Sequence, residues 1–171
     1  MEVNRRDVVK LLSGAAFTAL QLPAAEPNAP LFFTTSEFAL LDALTELIIP
    51  TDEHSPGAHE AGVATYIDRS VAEAFVPEEK SSWRKGLRSI DELSDRTYGS
   101  SFLKMSKEQQ TALLAKIAAA EAKPSTEQEK FFTQLKQTAA FAYYSSSIGI
   151  HQEMEYKGNV ILQEFAGYDV T

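Results

Sequence analysis

Cysteine is missing from the whole 171-residue chain. That excludes disulfides, thiolate zinc sites, iron–sulfur clusters ligated by this chain, catalytic thiols and haem attached through C-x-x-C-H. Cation excess is missing too: 16 Lys and Arg stand against 24 Asp and Glu, for a formal net charge of -8. Neutralising a phosphate backbone needs clustered basic residues, so the chain reads as one that binds no nucleic acid. Neither G-x-x-x-x-G-K nor G-x-G-x-x-G occurs, which leaves nucleotides and dinucleotides without a visible seat. There is no G-x-S-x-G nucleophile elbow. Nor is there an uninterrupted apolar run of the roughly 20 residues that cross a bilayer core.

What is present begins with "MEVNRRDVVKLLSGAAFTALQLPAAEP". Arg5, Arg6 and Lys10 make a basic start, and Leu11 to Leu22 is apolar except at Ser13, Gly14, Thr18 and Gln21. The length suits the core of a secretory signal, and Pro23-Ala24-Ala25 offers small residues near a cleavage point. "NRRDVVK" resembles the twin-arginine export signal, whose passengers cross the membrane folded. Residues 1–25 are therefore assigned as a twin-arginine-type signal, with Arg5 and Arg6 as its recognition pair and the translocase as a partner. The expected compartment is the periplasm. Leu22 or Pro23 fills a position that prefers a small residue, so a cut signal and an uncut membrane tether both fit the sequence. Residues 26–35, rich in Pro and Ala, read as a linker to a domain over 36–171.

The domain shows helical periods and no strand alternation. Thr34 and Glu37 form a capping-box pair ahead of a stripe of Phe38, Leu41, Leu44 and Ile48, which Pro50 ends. "PTDEHSPGAHEAG" is a turn-rich loop, followed by Val63, Ile67, Val71 and Phe75 at steps of four. Pro77 opens a third helix carrying Trp83, Leu87, Ile90 and Leu93. Ser106 with Gln109, and Thr126 with Glu129, cap two more. Their apolar positions are Leu113, Leu114 and Ile117, then Phe131, Phe132, Leu135, Thr138, Phe141 and Tyr144. A short helix is expected near His151–Lys157. The fold class is all-α, a compact single-domain bundle of five to six helices preceded by the signal segment.

Three clusters invite a chemical reading. Asp52, Glu53, His54, His59 and Glu60 have metal-ligand chemistry, but His54 and His59 are five apart across Pro56-Gly57 and no third ligand is fixed. The plainer reading is a polar turn in which Asp52 caps the backbone. Asp91 and Asp95 share a helix face with nearby Lys85, Arg88 and Arg96, and read as a solvated, salt-bridged surface. Ser145-Ser146-Ser147, near His151, reads as a set of hydroxyls satisfying helix-end carbonyls rather than as a nucleophile. The aromatics Phe131, Phe132, Phe141, Tyr143, Tyr144 and Tyr156 are denser than one small core needs, and part of them reads as a partner surface. No catalytic residue, cofactor ligand or metal ligand is assigned. Two readings stay open, an accessory subunit and a stand-alone metal- or ligand-binding helical protein.

One longer pattern adds to this. "LLDALTELIIPTDEHSPGAHEAGVATYID" is similar to the signature of the gluconate 2-dehydrogenase subunit 3 family, with Ile48-Ile49-Pro50, Pro56-Gly57-Ala58, Ala61-Gly62-Val63 and Tyr66-Ile67-Asp68 as its blocks. Trp83 with Gly86-Leu87, Gln110 before Leu113-Leu114, Phe131-Phe132 with Lys136, Tyr143-Tyr144-Ser145 with Gly149, and Tyr156-Lys157-Gly158 continue the likeness to about Tyr168. The closing "AGYDVT" departs from it. The resemblance implies a non-catalytic small subunit whose large partner is a flavoprotein of the glucose–methanol–choline type, oxidising a sugar, sugar acid or glycoside with FAD. It implies that the partner leaves the cytoplasm on the small subunit's signal. In some members a cytochrome c subunit then takes the electrons. No cofactor is expected on this chain. The turn residues Pro50, Asp52, Pro56, Gly57, Ala58, Gly62 and Val63, with Tyr143, Tyr144 and Tyr156, are the candidates for the partner interface.

Overall fold

The computed structural model describes residues 29–158. The signal assignment at Arg5 and Arg6, and the tail beyond Gly158, lie outside them. Among the described residues there are helices and no strand, as the periodicity requires. They are α1 (Thr35–Ile48), α2 (Val63–Glu73), α3 (Pro77–Tyr98), α4 (Lys107–Ala118) and α5 (Glu127–Tyr144). A 3₁₀ turn at Phe102–Lys104 and a π-helical turn at Gly149–Glu153 complete the set.

The boundaries follow from local chemistry. Capping boxes close the N-termini of α1 (Thr34, Glu37), α4 (Ser106, Gln109) and α5 (Thr126, Glu129), each satisfying amides that a helix start leaves unpaired. Around Glu129, the amides of Thr126 and Ser125 hold the carboxyl down at about 2. Pro77 starts α3, where its missing N–H costs nothing, and Gly99 ends it at φ 66°.

α5 is the central element, packed against α1, α2, α3 and α4 and against the π-helical turn. The core joins Leu41 and Leu44 of α1, Ile67 and Val71 of α2, Trp83, Leu87 and Ile90 of α3, Leu113 and Ile117 of α4, and Phe131 and Leu135 of α5. Trp83 meets Phe131 edge-on with centroids 5.6 Å apart. Gly86 lies beneath Phe131: a Cβ there would come within 2.0 Å of the ring. Only glycine permits this approach of α3 to α5.

Four details depart from the sequence expectation. Leu31–Phe33, placed in the linker, dock on the domain. Phe33 is buried, its ring against Phe32 and Trp83, and the Arg84 guanidinium sits 4.3 Å over the Phe32 ring. Phe75 does not extend the α2 stripe and is fully exposed. The residue before a proline is pushed out of helical conformation, and with Val76 extended ahead of Pro77 the chain has already left α2 at Ala74. The buried face of α5 carries Ala139, Ala142 and Tyr143 rather than Thr138, Phe141 and Tyr144. Finally, Asp91 is not part of a salt-bridged face. Its carboxylate accepts the Phe102 amide at 2.8 Å, while the ion pairs of α3 reach other elements, Lys85 to Glu127 and Arg84 to Glu37.

The turn before α2 and the aromatic face beside it

The turn from Ile49 to Gly62 is built on backbone hydrogen bonds and on side chains from the turn itself, from α1 and from α5. Pro50 stops α1. Asp52 Oδ1 then accepts the amides of His54 at 2.8 Å and Ser55 at 2.9 Å. These two N–H groups, Ser55 first, pull the Asp52 carboxyl below its ordinary value. Glu46, reaching down from α1, accepts Thr51 N at 3.0 Å with one oxygen and His59 N at 2.8 Å with the other. Gly57 donates to Thr51 Oγ1 at 2.8 Å, and a Cβ at Gly57 would lie 2.5 Å from Thr51 N. Gly62 adopts φ 70° as it leads into α2, a conformation that glycine takes without strain.

Tyr143 anchors this turn from α5. Its hydroxyl shares a hydrogen bond with buried Ser55 Oγ at 2.5 Å and donates to the Pro56 carbonyl at 2.8 Å. Two histidines tie the outside. His54 Nε2 meets the Glu153 carbonyl of the π-helical turn at 3.1 Å, and His59 Nδ1 meets Asp42 Oδ2 at 2.7 Å. Both imidazoles are held above their ordinary value, His54 chiefly by the Glu153 carbonyl and His59 chiefly by the Asp42 carboxylate.

This arrangement separates the candidate metal cluster. Asp52 faces backbone amides, while His54 and His59 bond to different elements. Among the described residues no three His, Asp or Glu side chains could share an ion. Ser146 Oγ donates to the Tyr143 carbonyl at 2.7 Å, the helix-end role expected of that serine cluster.

The interface candidates divide by burial. Gly57, Ala58, Val63 and Tyr143 lie inside the domain and shape the turn. Pro56 and Gly62 are half-buried, and Pro50, Asp52, Tyr144 and Tyr156 are exposed. The exposed aromatics that were not among the candidates include a neighbouring pair, Tyr66 on α2 and Phe141 on α5, the latter 62% exposed, with ring centroids 6.2 Å apart. Helical geometry holds a clue to Phe141. At about 100° per residue, positions 141 and 143 point to nearly opposite sides of one helix, so both cannot face the core.

Residues 35–160 match the family described as gluconate 2-dehydrogenase subunit 3. The chain belongs to that family. The matched span runs from the start of α1 past the π-helical turn and encloses the whole Tyr143-anchored turn. Membership makes the chain a small accessory subunit of a dehydrogenase complex. No curated protein and no solved structure matches it. Among the described residues, no subunit 3 helix is long and apolar enough to cross a membrane.

Proposed function

We propose that this subunit 3 chain is the non-catalytic export escort and stabiliser of a large FAD-dependent subunit of the glucose–methanol–choline type. That partner oxidises a sugar, sugar acid or glycoside in the periplasm. The observation that carries the reading is the family match over residues 35–160 downstream of the Arg5-Arg6 pair. The sequence supports it: a chain without cysteine cannot hold a c-type haem or a cluster, so electrons leave the flavin for a carrier on another chain, a cytochrome c subunit where the complex has one. FAD belongs to the large subunit, which takes it up while folding in the cytoplasm. The twin-arginine route then carries both subunits across as a folded pair.

The test is co-expression of the full chain with its large subunit lacking any signal of its own. Arg5→Lys with Arg6→Lys should leave the flavoprotein active but confined to the cytoplasm. Periplasmic activity unchanged by the double substitution would refute the escort role.

A further inference from the structure

Tyr66, Phe141 and Tyr144 form one exposed aromatic face. Tyr66 and Phe141 are ring neighbours across α2 and α5. Phe141 and Tyr144 are three apart on α5, and so stand side by side on its surface. Tyr144 also rests edge-on against Tyr143, centroids 5.4 Å apart, which couples the face to the anchored turn. The three are 43%, 62% and 46% exposed, unusual for contiguous rings on a chain with a full core. The exposed flank of α5 beside them is uncharged, with Gln137 one turn before Phe141. On α2, Arg69 is occupied by Glu73 at 3.4 Å. The neighbouring turns are acidic on balance: exposed Asp52, Glu53 and Glu60 before α2 and Glu155 after the π-helical turn outnumber Lys157, the one Lys or Arg there, which stands beside the exposed imidazoles of His54, His59 and His151.

We infer that this face is where the partner dehydrogenase subunit docks, through an apolar spot edged by Lys and Arg. The inference rests on the small-subunit reading above and adds the surface and its chemistry. An aromatic centre is what an interface hot spot uses, because rigid rings bury much area with little loss of side-chain freedom. The acidic flank selects the occupant. A second copy of a chain with net charge -8 would set carboxylates against carboxylates, and an anionic lipid surface would be repelled in the same way. A basic-rimmed protein face is attracted and steered in.

The experiment uses the full chain and its co-expressed large subunit, with binding followed in solution. Phe141→Ser with Tyr144→Ser should still fold, with only a small fall in melting temperature because neither ring is in the core, yet lower affinity about 30-fold or more. Glu60→Lys with Glu155→Lys should mainly slow association, with a weaker salt dependence than wild type. Leu103→Ser, on the 3₁₀ turn, should change neither. Complex formation should slow amide exchange in α2 and in the last turns of α5. A wild-type complex that both double variants form equally well overturns the docking surface and leaves the small-subunit reading standing. So does self-association of the chain that Phe141→Ser with Tyr144→Ser abolishes. Failure of the wild-type chain to bind the large subunit overturns both.

Discussion

The buried carboxylate of Asp68 accepts the backbone N–H of Phe33 at 2.9 Å, joining α2 to the strip of chain that precedes α1. The same carboxylate takes the amides of Leu31 at 2.6 Å and Phe32 at 3.0 Å. Three donors around one carboxylate explain how a charged group is tolerated there. Asp68→Ala should cost about 2–4 kcal/mol in urea unfolding, because buried amides lose their acceptor. Asp68→Asn should cost less, since one carbonyl oxygen still accepts. Limited proteolysis near Leu31–Phe33 should accelerate in the same order.

Gly86 offers a packing test. A methyl group at this position collides with the Phe131 ring, 2.0 Å from the would-be Cβ, so Gly86→Ala should destabilise the domain by about 1–3 kcal/mol despite alanine's better helix propensity. Adding Phe131→Leu should recover part of the loss. If Gly86→Ala raised the melting temperature, the close approach of α3 and α5 would be wrong.

Tyr143→Phe removes one hydroxyl and leaves Ser55 Oγ and the Pro56 carbonyl with only their own longer bond to each other, at 3.2 Å. The expected loss is about 1–3 kcal/mol. Amide exchange should quicken over 50–62 more than in α4, because the ring still fills its place and only the turn is released.

The two outer histidines give stability a defined pH slope. In each, the folded state favours the charged imidazole, so the stabilisation is complete below the ordinary value of 6.5 and fades as pH rises through the higher folded value. Asp42→Asn should flatten the part due to His59, seen as a smaller fall in melting temperature between about pH 6 and 8. Glu129 acts in the opposite sense. Its capping contribution is full above 4.5 and fades as pH falls towards about 2, so Glu129→Gln should blunt the acid limb of unfolding.

Much of the fold was legible because it depends on neighbours in sequence. Thr34–Glu37, Ser106–Gln109 and Thr126–Glu129 each announce a helix within four residues, and the structure closes all three boxes. The turn was legible in its residue types, including Asp52 as a backbone cap, though not in its ties. Tyr143 meets Ser55 across 88 positions and His54 meets Glu153 across 99, and no local rule relates residues so far apart. The candidate surface was half legible. The aromatic excess was visible, but Phe141 was read as core and is exposed, while Tyr143 was named as an interface candidate and is buried.

By itself the sequence determined the helical class, the capped boundaries and the absence of thiol chemistry. Each of these rests on residue identity or on spacings within a few turns. Only the tertiary structure decided which aromatics are buried. Ala139 and Ala142 let α5 sit close among its neighbours, and the phase this imposes turns Tyr143 inward and leaves Phe141 and Tyr144 in the open beside Tyr66.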